Sequence, residues 1–323
     1  MIEVEKINNV LSVVVFNNSL VIFTNDNLVS GEYVKSIFHC KIYENFLIYQ
    51  EDIFSDIVLM LKDGKHIKIE GEFNLSGATN TKKEIIIANR KTRTYNSLNK
   101  EKFSLNDRKI YFKANHSISC YRYDVLGSRL SFYIALDGTK LWDIDVKGIG
   151  KAIVWSSKQK EEVEEENSIS GDLLNYNDEI AIIPLKGGQL LAVEMKSGKE
   201  IWMLEEPKSG RQVIHKDKIY AQSYPNIIEI SATEGRVLRS IDLSSMRRDY
   251  NFDLTGQLEV FEDYLFVFSP DGKIAMIDKE NFSLSDFLEF EGTIPNNHGH
   301  LVWHENKLYV HTWGDTLLVF EKE

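Results

Sequence analysis

Histidine is the residue type whose clustering first suggests chemistry in this chain. Four of the eight histidines, His298, His300, His304 and His311, fall close together near the C-terminal end, two of them in a His-Gly-His step. Neutral imidazoles at short spacing are zinc-ligand material. Here His304 and His311 fall on different predicted strands, and no Asp, Glu or His completes an established ligand spacing. No metal and no cofactor are therefore expected, and His298 and His300 are kept as candidate contact residues in a long loop.

Covalent catalysis finds no support either. The sequence has no Gly-x-Ser-x-Gly, Gly-x-Gly-x-x-Gly, phosphate-loop or His-Glu-x-x-His pattern. Its two cysteines, Cys40 and Cys120, are far apart, which excludes a disulfide framework and argues against a thiolate metal centre. Two free thiols suit a reducing compartment.

What remains is recognition chemistry. Glu161, Glu162, Glu164, Glu165 and Glu166 form an acidic run that reads either as a solvated charge run or as a docking patch for a basic partner. Arg247, Arg248, Tyr250 and Phe252 form an arginine–aromatic cluster of the kind that anchors interfaces, although internal pairing of these arginines with the glutamates is equally natural.

The whole-chain balance points the same way. Thirty-eight basic against 49 acidic side chains leave a net charge of −11, which repels nucleic acid and anionic membranes at long range. The expected partner is another protein, with a basic one favoured. The N-terminus lacks the form of a signal peptide, because Glu3 and Glu5 sit where positive charge belongs and no small-residue cleavage site follows Val10–Phe16. No segment reaches the roughly 18–20 apolar residues that span a bilayer. A soluble, cytoplasmic monomer is expected.

The elements that must position these residues are strands. Short runs rich in Val, Ile, Tyr and Phe alternate with turn residues, and helical periodicity is hard to find. Residues 177–204, 216–243, 262–290 and 305–323 repeat one plan: a tight turn, a strand, a Gly- or Asn-bearing turn and a second strand, with a third strand in the first three. Equivalent points at Glu179, Lys218, Tyr264 and Lys307 are 39, 46 and 43 residues apart. A period of about 40–45 residues with four short strands is the spacing of propeller blades. A β-sandwich would not repeat in groups of this length. The expected fold is an all-β propeller of four-stranded antiparallel blades, one domain over residues 1–323. Seven blades fit the length, with six or eight as neighbouring solutions.

The best copy, "GQLLAVEMKSGKEIW", resembles the repeat of pyrroloquinoline-quinone-type β-propellers through Gly188, Leu190, Ala192, Glu194, Gly198 and Trp202. "FYIALDGTKLW" matches again through Ala135, Asp137, Gly138 and Trp142, whereas "GKIAMIDKENFSLSDF" keeps Gly272, Ala275 and Asp278 but lacks the turn glycine and the Trp. The resemblance covers residues 130–323 and is weak before them. It implies architecture, with Trp202 wedged against the next blade, more than activity. The adjacent cysteines and other elements of the quinone enzymes find no match.

The N-terminal half is read as a hairpin of the first blade (10–26), a full blade (40–70), a degenerate one (83–105) and four strands over 109–145. The chain ends after the third strand of its last unit, so Ile2–Lys6 is expected to supply the missing outer strand and close the ring. In a propeller the link between blades and the link between strands two and three share a rim. The long excursions, 147–171, 244–256 and 291–300, are all inter-blade links, while the other rim has tight turns at 177–178, 216–217, 262–263 and 305–306. The expected function is non-enzymatic protein binding through the decorated rim, in a narrower form as an immunity-type cognate inhibitor. The alternative is an enzyme or small-ligand binder with its site in the axial channel.

Overall fold

The computed structural model describes residues 1–16, 18–24, 39–43, 45–50, 55–80, 84–92, 94–110, 116–156, 158, 160–205, 212–223, 225–252, 257–295 and 300–322. Seven four-stranded antiparallel sheets form the ring of a seven-bladed β-propeller. Blades one to six span 39–69, 73–110, 116–145, 174–204, 212–242 and 257–289. Blade seven takes Leu301–His304, Lys307–Thr312 and Thr316–Glu321 from the C-terminal end and Ile2–Ile7 as its outer strand. That outer strand pairs antiparallel with Thr316–Glu321, so the ring closes as expected.

A strand of alternating apolar residues needs cover on both faces of its sheet, and each blade obtains it from its neighbours. Phe46, Ile48 and Leu59 of blade one meet Leu75, Ile85 and Ile87 of blade two. Equivalent clusters join blades three and four, four and five, five and six, and six and seven. Among the described residues, blades two and three meet through a polar contact. Arg122 is 1% exposed, lies 4.4 Å from the Tyr95 ring centre and donates to the Tyr95 hydroxyl at 3.1 Å.

The 10–24 segment departs from expectation. It is not part of blade one but a separate two-stranded sheet, Val10–Phe16 with Ser19–Thr24, standing between blades seven and one. Val10, Val13 and Ile22 pack on Val302 and Leu317 of blade seven. Phe16, Val21 and Phe23 pack on Leu47, Tyr49 and Met60 of blade one. Alternation along Val10–Phe16 gives the hairpin two apolar faces, so it needs a neighbour on each side. Blade two begins at Phe73 and ends at Ile110, so the 109–110 step assigned to the next unit belongs to its outer strand.

Four equivalent positions on the outer strands lock successive blades together. Trp142 of blade three donates its Nε1–H to the Met195 carbonyl of blade four at 2.8 Å. Trp202 of blade four donates in the same way to the Ala232 carbonyl of blade five at 3.0 Å. Each indole lies over a turn glycine of the next blade, Gly198 or Gly235, at φ +70° and +67°. A Cβ there would meet the ring at 2.6 Å and 2.4 Å respectively.

Blade five puts Arg239 at this position, four residues after Gly235 as Trp202 is after Gly198. Its guanidinium donates to the carbonyls of Lys279 and Glu280 at 2.8 Å and 2.7 Å. The glycine beneath is replaced by Phe282, whose ring centre is 4.8 Å from the arginine. Behind it the carboxylate of Glu229, 2% exposed, pairs with Arg239 at 2.6 Å and Lys218 at 3.1 Å. In blade six the position is Asp286, which takes the Met1 ammonium at 2.6 Å.

Gly235→Ala should lower unfolding free energy by roughly 2–4 kcal/mol, combining a left-handed backbone with overpacking against Trp202. Gly127→Ala, at φ +64° with nothing within 4 Å, should cost only about 1 kcal/mol. Equal urea midpoints for the two variants would contradict the wedge. Arg239→Trp copies the repeat's own residue, yet it should destabilise by about 3 kcal/mol. The indole would meet Phe282 rather than glycine, and Glu229 would lose its better partner. A neutral result by urea unfolding would refute that reading.

Candidate functional site

The acidic run is not a loop. Glu161–Glu166 is a strand paired antiparallel with Lys151–Ser156, forming a hairpin on the link between blades three and four. Glutamate has weak β-propensity, and in the sequence the run stood only as part of the long link 147–171. A partner strand with apolar residues and nearby lysines offset that weakness. Lys147 pairs with Glu166 at 2.7 Å, Lys151 with Glu164 at 3.9 Å, and Lys186 with Glu165. Glu161 and Glu162 have no ion-pair partner among the described residues.

The hairpin is fixed to the rim by neutral contacts. Asn167 donates to the Ile149 carbonyl at 2.8 Å and to the Gln189 side chain at 2.6 Å, and Gln189 donates to the Lys151 carbonyl at 3.2 Å. Gly187, at φ +80°, brings the link between strands two and three of blade four against Ile153; a Cβ there would stand 3.2 Å from the Ile153 backbone. Alternation turns Ala152 inward and leaves Ile153 outward, 52% exposed and opposite Glu164.

The 244–256 link contains a short helix, α1 (Ser244–Tyr250). Met246 and Phe252 are buried beneath it, packed with Leu258 and Leu265. Phe252, at 1% exposure, is thus a packing anchor rather than a surface contact. Arg247 and Arg248 are exposed. Arg248 pairs with Asp249 at 2.8 Å, so it does not take up the glutamates. Arg247 lines a hollow of about 430 Å³ with Phe252, Pro270 and Asp271. Tyr250 is half exposed, its ring centre 4.4 Å from that of Phe287.

Further along this rim, Trp313 is 70% exposed in the turn between strands two and three of blade seven. Its backbone N–H is held by the Thr293 carbonyl at 2.8 Å. Sequence reasoning missed Trp313. The available signal was a tryptophan in a Trp-Gly-Asp turn, where no blade face can cover it.

The histidines belong elsewhere. His298 lies outside the described residues, and His300 lines a cavity of about 660 Å³ along the inner strands, together with Cys40, His304 and His311. The His300 and His311 rings stack at 5.4 Å, and His311 Nε2 is 2.7 Å from the Val10 carbonyl. Burial holds both imidazoles below the ordinary value of 6.5; for His300 the neighbouring His311 adds to this, and for His311 the bond to Val10 opposes it. Burial pushes the Cys40 thiol up to about 11, so it is no nucleophile at neutral pH. Among the described residues no three His, Cys, Asp or Glu side chains are grouped to hold a metal ion.

The opposite rim is trimmed. Left-handed residues Asn177, Asp178, Lys216, Glu305 and Asn306 make its tight turns. A hollow of about 450 Å³ there mixes Lys216, Lys218 and Lys279 with Asp217, Glu262 and Asp263. Its charges are largely used internally: Lys216 pairs with Glu262, and Lys279 donates to the carbonyls of Phe261 and Glu262 at 2.7 Å. Among the described residues no helix is long and apolar enough to cross a membrane.

Fold and site together define a β-propeller with one elaborated rim. No protein-family model matches the sequence, and no curated protein matches it significantly. Solved structures do match over nearly the whole chain. BamB from Moraxella catarrhalis is similar at 13% identity over 99% of both chains, with a TM-score of 0.54. Sqt1 of Saccharomyces cerevisiae is 12% identical over 98% of this chain and 96% of that one, with a TM-score of 0.55. The computationally designed Ika8 protein gives 9%, 98%, 96% and 0.56 for the same quantities. At these identities the likeness shows the propeller fold alone.

The buried histidines set a pH dependence. Their folded-state values lie below 6.5, so the unfolded chain binds protons first as pH falls. The stability of the neutral rings is present above about pH 6.5 and is lost as pH drops through the folded-state values. The urea midpoint should fall between about pH 7.5 and about pH 5.5. A His300→Gln/His311→Gln variant should show a smaller fall, and an identical pH profile would contradict the assignment.

Proposed function

We propose that this propeller is a non-enzymatic protein-binding module that docks its decorated rim onto a basic partner. The observation that carries the reading is the acidic strand 161–166, held as a fixed hairpin rather than as a mobile run. A pre-ordered element loses less conformational entropy on binding than a loop that must first be organised. Outward glutamates steer a basic surface towards the rim, mainly through the association rate. Ile153 supplies apolar area beside them, and Trp313, Tyr250 and Arg247 are of the types that carry binding energy at interfaces.

The rest of the reading follows from the same features. The net charge of −11 disfavours nucleic acid and anionic membrane as partners. Pairing of Ile2–Ile7 with Thr316–Glu321 closes the ring within one chain, which suits a monomer working as one domain. The free thiols suit the cytoplasm. The narrower form is an immunity-type inhibitor whose partner is a basic toxin.

The test is capture of a stoichiometric partner from the native host, followed by affinity measurement with the purified pair. Glu161→Lys/Glu162→Lys/Glu164→Lys should weaken binding at least tenfold at low salt, mostly through a slower association rate. Asp217→Lys on the trimmed rim should leave it unchanged. Equal affinity for both variants, or no stoichiometric partner, would overturn the proposal.

A further inference from the structure

The hairpin on the link between blades three and four has two edges, and they differ. The Lys151–Ser156 edge lies against blade four. There the Gln189 side chain donates to the Lys151 carbonyl at 3.2 Å, and a Cβ on Gly187 would stand 3.2 Å from the Ile153 backbone nitrogen and oxygen. The Glu161–Glu166 edge has no further strand beside it among the described residues. Its six residues pair with Lys151–Ser156 without a register shift, and five of them are exposed. Its outer N–H and C=O groups therefore stand in a regular row, a template for one more strand.

Such an edge is usually guarded by proline, a bulge, lysine or extreme shortness. This one has no proline, no lysine and no bulge, and its only guard is glutamate. Like charges directly opposite each other destabilise a strand pair, and opposite charges stabilise it. A second copy of this edge would set glutamate against glutamate, so self-pairing is disfavoured. A basic strand meets the reverse situation. Pairing with Lys151, Ile153 and Trp155 puts Glu166, Glu164 and Glu162 on one face of the hairpin, the face on which Ile153 is 52% exposed. Of these three, Glu162 has no ion-pair partner among the described residues, and Glu164 has only Lys151 at 3.9 Å.

We propose that the Glu161–Glu166 edge takes up an extended segment of the partner protein as a third strand, with Lys or Arg at alternate positions opposite Glu162, Glu164 and Glu166. Main-chain hydrogen bonds along the edge hold the segment, and the glutamates select it by charge. The inference rests on the reading of this rim as the docking surface for a basic partner, and it names how that partner is held.

Titration of the intact propeller at low salt with short, end-blocked peptides tests it. One peptide has lysine at alternate positions with threonine and valine between. Two others keep the same side chains but carry N-methyl groups, on the lysines in one and on the intervening residues in the other. Each pattern keeps the charge and removes the amide hydrogens along one edge of the peptide strand. The unmethylated peptide should bind saturably, one per chain, and slow amide exchange within 161–166. At least one methylated peptide should bind roughly tenfold more weakly or worse. Glu162→Gln/Glu164→Gln should weaken the unmethylated peptide by a similar factor. Equal affinity of the three peptides, or unchanged exchange within 161–166 on binding, would overturn strand addition and leave the rim reading standing. No saturable binding up to about 1 mM peptide, or undiminished binding to the glutamine variant, would overturn it as well. The rim reading itself is decided separately, by the captured partner and the lysine variant.

Discussion

Everything in this molecule depends on the need of each blade to bury two apolar faces. A single four-stranded sheet cannot do so alone, and stacking neighbours around an axis covers both. The clusters run from blade to blade and through the N-terminal hairpin, which covers Leu317 on one side and Leu47 on the other. Pairing of Ile2–Ile7 with Thr316–Glu321 then completes blade seven and closes the ring. The side chain at the wedge position adapts to what lies beneath it: indole over glycine at Trp142 and Trp202, guanidinium over phenylalanine at Arg239, and carboxylate against an ammonium at Asp286.

That adaptation explains what the sequence revealed and what it hid. Blades four to seven are legible because turn and strand residues recur at a steady spacing, and Trp202 makes the inter-blade contact its position implies. The wedge in blade five was illegible because Arg239 shares no chemistry with Trp202 except an N–H that reaches a carbonyl. The spacing from the turn glycine is the same, but only the geometry shows that the two side chains make equivalent contacts. Blade two was hard to delimit because its third strand, Thr94–Asn99, is largely polar yet includes the buried Ser97 and Leu98.

The candidate site was legible in part. The rim that would carry it follows from which links are long, since strand order alone fixes the side on which a link emerges. The form of those links did not follow. The glutamate strand depends on lysines at 147, 151 and 186, two of them outside the hairpin itself. Phe252 is buried where a surface contact was expected, and Trp313, which was not singled out, is exposed, because burial is decided by what packs above a residue, not by residue type: Phe252 lies under α1, and Trp313 projects from a turn. The outcome is a propeller whose described long links form an acidic hairpin and a short helix on one rim, opposite a rim of tight turns.

The account stands most directly on where a bound protein touches the ring. Hydrogen–deuterium exchange of the propeller, alone and in complex with its captured partner, would locate that contact. The account predicts slowed exchange in peptides covering 151–166, 244–252 and 313–315, with the turns at 177–178, 216–217, 262–263 and 305–306 unchanged. Protection confined to those four turns would contradict it.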